Sequence, residues 1–292
     1  MSVISTLEAV PNRLRILWEV LRDIGDDGIK RKELQKIISP ISLDAQEDKE
    51  TSNTANTFRG ALGALVEIGL AKIIKDSVSL TAISKESSSE GNITFISEIE
   101  RTLLSPGTDI YAENGSLAGA LAWLLTREPT QPLSWNSAPA KELQDDLGDN
   151  GPRFDLTNKE RWQTFAYWAR FLGYASIVEI DSQVWVIPDS SKAIRRHLDS
   201  VLPNKKEVPF KNLISGLSSK TPLFEEGSAR ISLESKFPSD PKREARILSP
   251  STAFSLRRLE VTDNIKLILR SDAEIWVASG LSEDRISHVK KT

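Results

Sequence analysis

Apolar positions along residues 158–189 change period once. Trp162, Phe165, Ala166, Ala169 and Leu172 keep the three-to-four-residue spacing of an amphipathic helix, and the residues beyond them alternate as a strand does. The alternation turns at Asp181-Ser182 and resumes through Val184 and Val186, which predicts a β-hairpin. Gly173 separates the two halves, where a helix can end on a left-handed residue without steric cost.

The pattern recurs on both sides. Upstream, Phe58, Ala61, Leu62, Leu65 and Ile68 share a helix face, Gly69 follows, and a hairpin is expected through Leu70, Ile73 and Val78. Downstream, Phe254, Leu256 and Leu259 fall in a helix, followed by strands around Lys266–Leu269 and Glu274–Val277 that turn at Ser271-Asp272. This third copy has no glycine at the helix end. Two further helices precede each hairpin. They are NRLRILWEVLRDIG and GIKRKELQKIISP (stopped near Pro40), then SLAGALAWLLTRE and SAPAKELQDDLG, then SKAIRRHLDSVLP and VPFKNLISGL. The second helices share Lys32-Glu33-Leu34-Gln35 and Lys141-Glu142-Leu143-Gln144, with Lys211-Asn212-Leu213-Ile214 as a looser third instance. Helix, helix, helix and hairpin is the order of a winged helix. The expected fold is therefore α+β, mainly α with small β-hairpins, in three tandem winged helices. They occupy residues 1–85, 86–190 and 191–292, and the third carries an insertion at 223–247. Leu34 and Leu143 are expected at equivalent buried positions. Lys85–Asn92 reads as a linker, Ala229–Phe237 as an extra strand and Pro238–Arg246 as an exposed basic loop.

Charge divides the three units. The chain of 292 residues has a net charge of −3. Residues 1–85 carry 12 Lys and Arg against 12 Asp and Glu, residues 86–189 carry 7 against 16, and residues 190–292 carry 19 against 13. The balances are zero, −9 and +6. Affinity for nucleic acid rests on cations near phosphates, so the middle unit is the poorest candidate to contact DNA. No apolar run approaches a bilayer span, and the N-terminus lacks a basic region followed by an apolar block, so a cytoplasmic, non-membrane protein is expected. The absence of cysteine excludes disulfides, thiolate metal sites and cysteine nucleophiles.

Motifs for chemistry are sparse. His197 falls in an amphipathic helix and His288 in a basic tail, neither at metal-ligand spacing. There is no phosphate loop, nucleophile elbow or dinucleotide fingerprint. Glu234-Ser235-Lys236, placed on the expected strand, has the E-x-K form of metal-dependent nucleases but lacks an acidic residue on a preceding strand. No catalytic, metal or cofactor residue is assigned, and a non-enzymatic role is expected.

Binding candidates are clearer. In the first unit, Asn53, Asn56 and Arg59 lie opposite the apolar face of the third helix, with Ser52 beside them. Lys30, Arg31 and Lys32 on the second helix and Arg13 and Arg15 on the first flank them. Asn and Arg suit base edges, and the cations suit phosphates. In the third unit Arg195, Arg196, Lys242, Arg243, Arg246, Arg257 and Arg258 could form a phosphate-binding surface. The densest aromatic cluster, Trp162, Phe165, Tyr167, Trp168, Phe171 and Tyr174, is mostly core. Trp168 and Phe171 broaden its helix face beyond one stripe and, with the acidic Asp145 and Asp146, are the candidates for a protein interface.

The opening VPNRLRILWEVLRDIGDDGIKRKELQKIISPISL resembles the start of the bacterial DpdG antiphage family. Val10-Pro11, the Arg13 helix, the Leu34 helix, the Pro40-containing end and the overall length carry the resemblance, in detail over the first third. The family belongs to gene clusters that place 7-deazaguanine bases in DNA and restrict unmodified DNA. The resemblance implies an accessory component of a multi-protein defence assembly. Taken with the repeated units and the charge asymmetry, it leads to an expected tandem winged-helix component that contacts other proteins, with double-stranded DNA and a second copy of the chain as further candidate partners. It assigns no catalytic residue. The alternative reading from the residues is a winged-helix transcriptional regulator, and a third is the metal-dependent nuclease.

Overall fold

A computed structural model describes residues 3–38, 50–81, 94–112, 115–204, 206–237, 246–278 and 284–292, with backbone alone for residues 50–55. Pro40, the Lys85–Asn92 linker, Lys242 and Arg243 lie outside the described residues, as does most of the Pro238–Arg246 loop. The chain forms two compact units, Met1–Leu103 and Leu104–Thr292.

The first unit begins with α1 (Pro11–Ile24). Proline at its first position supplies the helical φ in advance, and Leu14, Leu17, Trp18 and Leu21 are buried on one face. Strand β1 (Ile29–Lys30) leads into α2 (Arg31–Ile38), and α3 (Glu50–Glu67) leads into the hairpin β2 (Ala71–Ile74) and β3 (Ser77–Leu80). Strand β3 lies between the other two, antiparallel to both. A further helix that the periodicity did not announce, α4 (Phe95–Leu103), packs on α1, with the Phe95 ring 5.9 Å from that of Trp18.

The second unit repeats this order. Helix α5 (Ser116–Leu124) is buried on every side, so it reads as a central rod rather than an amphipathic one. Gly119 leaves room there for Phe154, since a Cβ would come within 2.3 Å of its ring. Then follow β4 (Leu133–Ser134), α6 (Ala140–Leu147), α7 (Lys159–Leu172), β5 (Ala175–Ile180) and β6 (Gln183–Pro188), with β6 central and antiparallel to both neighbours. The hairpin turns where expected, at Asp181 and Ser182, with φ of 49° and 62°.

The third repetition is elaborated. Helix α8 (Ser191–Val201), β7 (Glu207–Pro209) and α9 (Phe210–Lys220) keep the order. Helix α10 (Ser228–Glu234) and strand β8 (Ile247–Leu248) then intervene before α11 (Pro250–Val261) and β9 (Ile265–Ile268). Two expectations are corrected here. No hairpin joins residues 265–268 to residues 274–277. Strand β10 (Trp276–Ala278) instead pairs with β11 (Asp284–Ile286) and runs parallel to β8. Strand β9 pairs with β12 (His288–Lys291), which lies between β7 and β9. Burial decides this: β12 sets fully buried Val289 opposite Leu267 and Val208, while Trp276, in the other sheet, packs edge-on against Phe210 at the start of α9, 5.8 Å away. His288 is therefore part of a central strand and not of a tail. The second correction is that Ala229–Phe237 holds a helix where alternation suggested a strand. Ala229, Arg230 and Leu233 are buried at helical spacing, and Ile231, which alternation would have paired with Leu233, is exposed.

Within this elaboration the repeat survives in detail. Three sheets share one strand order, with the last strand in the middle. The shared tetrapeptides begin at the second residue of α2, α6 and α9, and their leucines, Leu34, Leu143 and Leu213, are all buried. Gly69, Gly173 and Asp263 take φ of 79°, 83° and 56° at the three helix ends. In each copy the next amide donates to the carbonyl five residues back: Leu70 to Leu65, Tyr174 to Ala169 and Asn264 to Leu259, at 3.1, 2.8 and 2.9 Å. The third copy keeps the left-handed cap and fills it with aspartate, which tolerates that conformation better than most residues.

Alanine substitutions separate the two glycines. Gly69 has open space around the added Cβ, so Gly69→Ala should cost about 1 kcal/mol for the left-handed backbone alone. At Gly173 the Cβ would meet Lys192 Cβ at 2.9 Å and Ala193 N at 3.0 Å, so Gly173→Ala should cost more. Equal losses in urea unfolding would contradict the packing described.

Candidate nucleic-acid interface

Helix α3 of the first unit hides Phe58, Ala61, Leu62 and Leu65 against the core and exposes Asn56 and Arg59. The Asn53 and Ser52 side chains lie outside the described residues. On α1, Arg13 is exposed, and Arg15 is exposed with Glu19 one turn on, 3.7 Å away. Lys30 and Lys32 are exposed at the junction of β1 and α2. Arg31 between them is half-buried, its amide donating to the Asp76 carbonyl at 3.0 Å. That bond ties the start of α2 to the hairpin tip. Periodicity alone passed over Lys72 and Lys75, both exposed on the β2 side of the hairpin. Their signal was available in the order Lys-Ile-Ile-Lys, which sets one cation in the strand and one in the turn.

The arginines expected to form a surface in the third of the repeats are largely engaged. Arg258 pairs with buried Asp189, whose carboxylate also accepts from Ser176 Oγ at 2.7 Å and from the Ser191 amide at 3.0 Å. Arg257 pairs with Asp284, and Arg246 with Glu274 at 2.9 Å. Arg196 donates to the Leu172 carbonyl at 2.9 Å, while Arg195 points to solvent. The partners of Arg246, Arg257, Arg258 and Arg196 are far along the chain, so residue counting could not show them.

The protein-contact candidates divide as well. Trp168 is fully buried, T-shaped against half-buried Phe171 at 6.2 Å, so Trp168 is core and presents no surface. The aromatic of the cluster most open to solvent is Tyr167, 45% exposed and edge-on to Trp135 at 5.0 Å. Asp145 is exposed. Asp146 is held inward: its Oδ2 accepts from Trp123 Nε1 and from Arg127 Nη1, both at 2.8 Å. Asp146 and Arg127 line a recess of about 290 Å³ with Thr126, Glu128, Gln131, Phe237 and Pro250.

Glu234 of the E-x-K triplet is engaged as well. It sits at the end of α10 and accepts from Arg230 Nε at 2.5 Å. Burial holds the Arg230 guanidinium below its ordinary pKa, and the Glu234 charge partly restores it. The triplet thus lacks the strand on which the nuclease reading depends.

These features define an α+β protein of repeated helix-and-sheet modules with several exposed basic positions, and no helix among the described residues is long and apolar enough to cross a membrane. The DpdG-like family model matches residues 1–273, and the chain belongs to that family. Membership suggests involvement in the Dpd 7-deazaguanine DNA modification system, which is a multi-protein system. No curated protein and no solved structure matches the chain.

Proposed function

We propose that this chain is a non-enzymatic, tandem winged-helix component of the Dpd restriction assembly that touches duplex DNA through its first module and other proteins of the assembly through its middle one. The observation that carries the reading is the threefold recurrence of one chain order, one strand order and one helix cap. Three linked modules of this kind suit a protein that bridges other molecules. The first module leaves Asn56, Arg59, Lys72 and Lys75 exposed on its third helix and hairpin, the elements a winged helix offers to DNA. The middle module shows Glu179, Asp181 and Asp145 to solvent, which phosphates would repel.

Two measurements test this. Full-length protein should co-purify from its host with products of neighbouring genes. Arg59→Ala should weaken duplex binding several-fold across unrelated sequences and flatten its salt dependence. Protection of one short operator, with no co-purifying partner, would favour a transcriptional regulator instead.

A further inference from the structure

The third module's excess cations do not all sit on its helices. In the sheet of β7, β12 and β9, Val289 faces inward beneath α9, so the alternation of β12 turns His288 and Lys290 outward. Register places Lys290 directly opposite Lys266 on one side and Glu207 on the other. Residues opposite each other on adjacent strands share a face, so Lys266 and Lys290 stand side by side. Like charges in that arrangement destabilise a sheet. The carboxylate beside them relieves it only in part, because both oxygens of Glu207 are taken by Arg270, Nε to Oε1 and Nη2 to Oε2, each at 2.9 Å. The Arg270 hydrogen bonds hold the Glu207 carboxyl below its ordinary range, with further help from the charges of His288 and Lys290. The next residue shows the contrast: Lys291 turns inward and is bound by Asp199 and by Asn204, the latter at 2.9 Å. Lys266 and Lys290 have no ion-pair partner among the described residues.

We infer that the outer face of this sheet, centred on Lys266 and Lys290, is a second contact with the phosphodiester backbone of duplex DNA, made by the third module through its sheet and not through its helix. Helix α11 is poorly placed for that task because Arg257 and Arg258 are tied to Asp284 and Asp189. Lysine is depleted at the centres of protein interfaces, whereas paired cations on a regular strand suit a row of phosphates. The contact carries no base recognition, so it would lend affinity and position and leave sequence preference unchanged. This inference rests on the DNA-contacting part of the proposed function.

The test uses full-length protein and a duplex of arbitrary sequence over a salt titration. Removing two phosphate contacts should lower the slope of log affinity against log salt by about 1.8 in the Lys266→Gln, Lys290→Gln double variant. A fourfold change in salt then separates it from wild type by about tenfold. Lys266→Gln alone should also raise the melting midpoint by roughly 1–3 °C, by removing the like-charge pair. A double variant that melts no lower than wild type yet binds DNA with an unaltered slope overturns the inference, as does wild-type protein that binds no duplex. Arg59→Ala serves as the independent arm. If only Arg59→Ala changes the slope, the first-module reading stands and the sheet contact fails. If only the lysine pair changes it, the sheet contact stands and the first-module reading fails.

Discussion

Lysine at Asp146 should lower the unfolding free energy by roughly 3–5 kcal/mol, whereas the same change at Asp145 should move it by no more than about 0.5 kcal/mol. The two aspartates are neighbours of equal charge, and only their partners differ. Asp146 Oδ2 is the acceptor for the Nε1 of Trp123, a fully buried ring, and for Arg127. A lysine leaves that indole N–H without its acceptor and sets a cation against Arg127. Asp145 is exposed, so its replacement alters only solvated charge. Urea unfolding followed by tryptophan fluorescence measures both. Similar small losses at the two sites would mean that the Trp123–Asp146–Arg127 cluster adds nothing to stability. The outcome also governs how the middle module is studied: partner binding is fairly tested by charge reversal at Asp145, and reversal at Asp146 would confound loss of contact with loss of fold.

The second large effect is expected at Asp189, where the middle module ends and α8 begins. Asp189→Ala should cost roughly 2–4 kcal/mol, and Asp189→Asn less. The carboxylate is buried and collects the Ser176 hydroxyl, the Ser191 amide and the Arg258 guanidinium. Alanine removes all three acceptor contacts, leaving a buried amide unpaired. Asparagine keeps an acceptor oxygen and loses the charge that faces Arg258. Ser190 stands beside it, its amide donating to Ser255 Oγ at 2.8 Å, and Ser251 Oγ donates to the Leu125 carbonyl. These bonds join the middle module to α11, so the loss should appear as faster amide exchange on both sides of the seam. Thermal denaturation gives the magnitude. An Asp189→Ala protein as stable as wild type would show the seam to be held by apolar packing alone.

Much of the repeat was legible because local rules govern it. The helix faces of Leu14–Leu21 and Phe58–Ile68, the stops at Gly69 and Gly173, and the turn at Asp181-Ser182 depend on residues a few positions apart, and the structure keeps them. The third hairpin failed because strand pairing is not local. Residues 266–269 and 274–277 each read as a short strand, yet what they pair with depends on which distant residue can fill the interior, and Val289 fills it for β9. Residues 229–237 failed for a related reason, since a short segment with alternating polarity takes the conformation that its neighbours bury best. Of the candidate site, the first-module cations were legible as exposed positions. In the third module, charge could be counted but not paired, so Arg257 and Arg258 looked available while Lys266 and Lys290 were hidden in a supposed hairpin and tail.

Among the described residues, strands β7 and β9 do not bond to each other; each bonds to β12, which lies between them. The pairing of Glu207 with Lys290 closes a longer loop than that of Lys30 with Ser77 or Ser134 with Trp185. During synthesis the first and middle sheets can therefore close while the third still waits for its central strand. Contacts between distant residues form slowly, and for that interval two unpaired edges stand open as templates for strands of other molecules. The cost of placing the central strand last falls on the nascent chain, as a period of exposure to aggregation that the finished fold no longer shows.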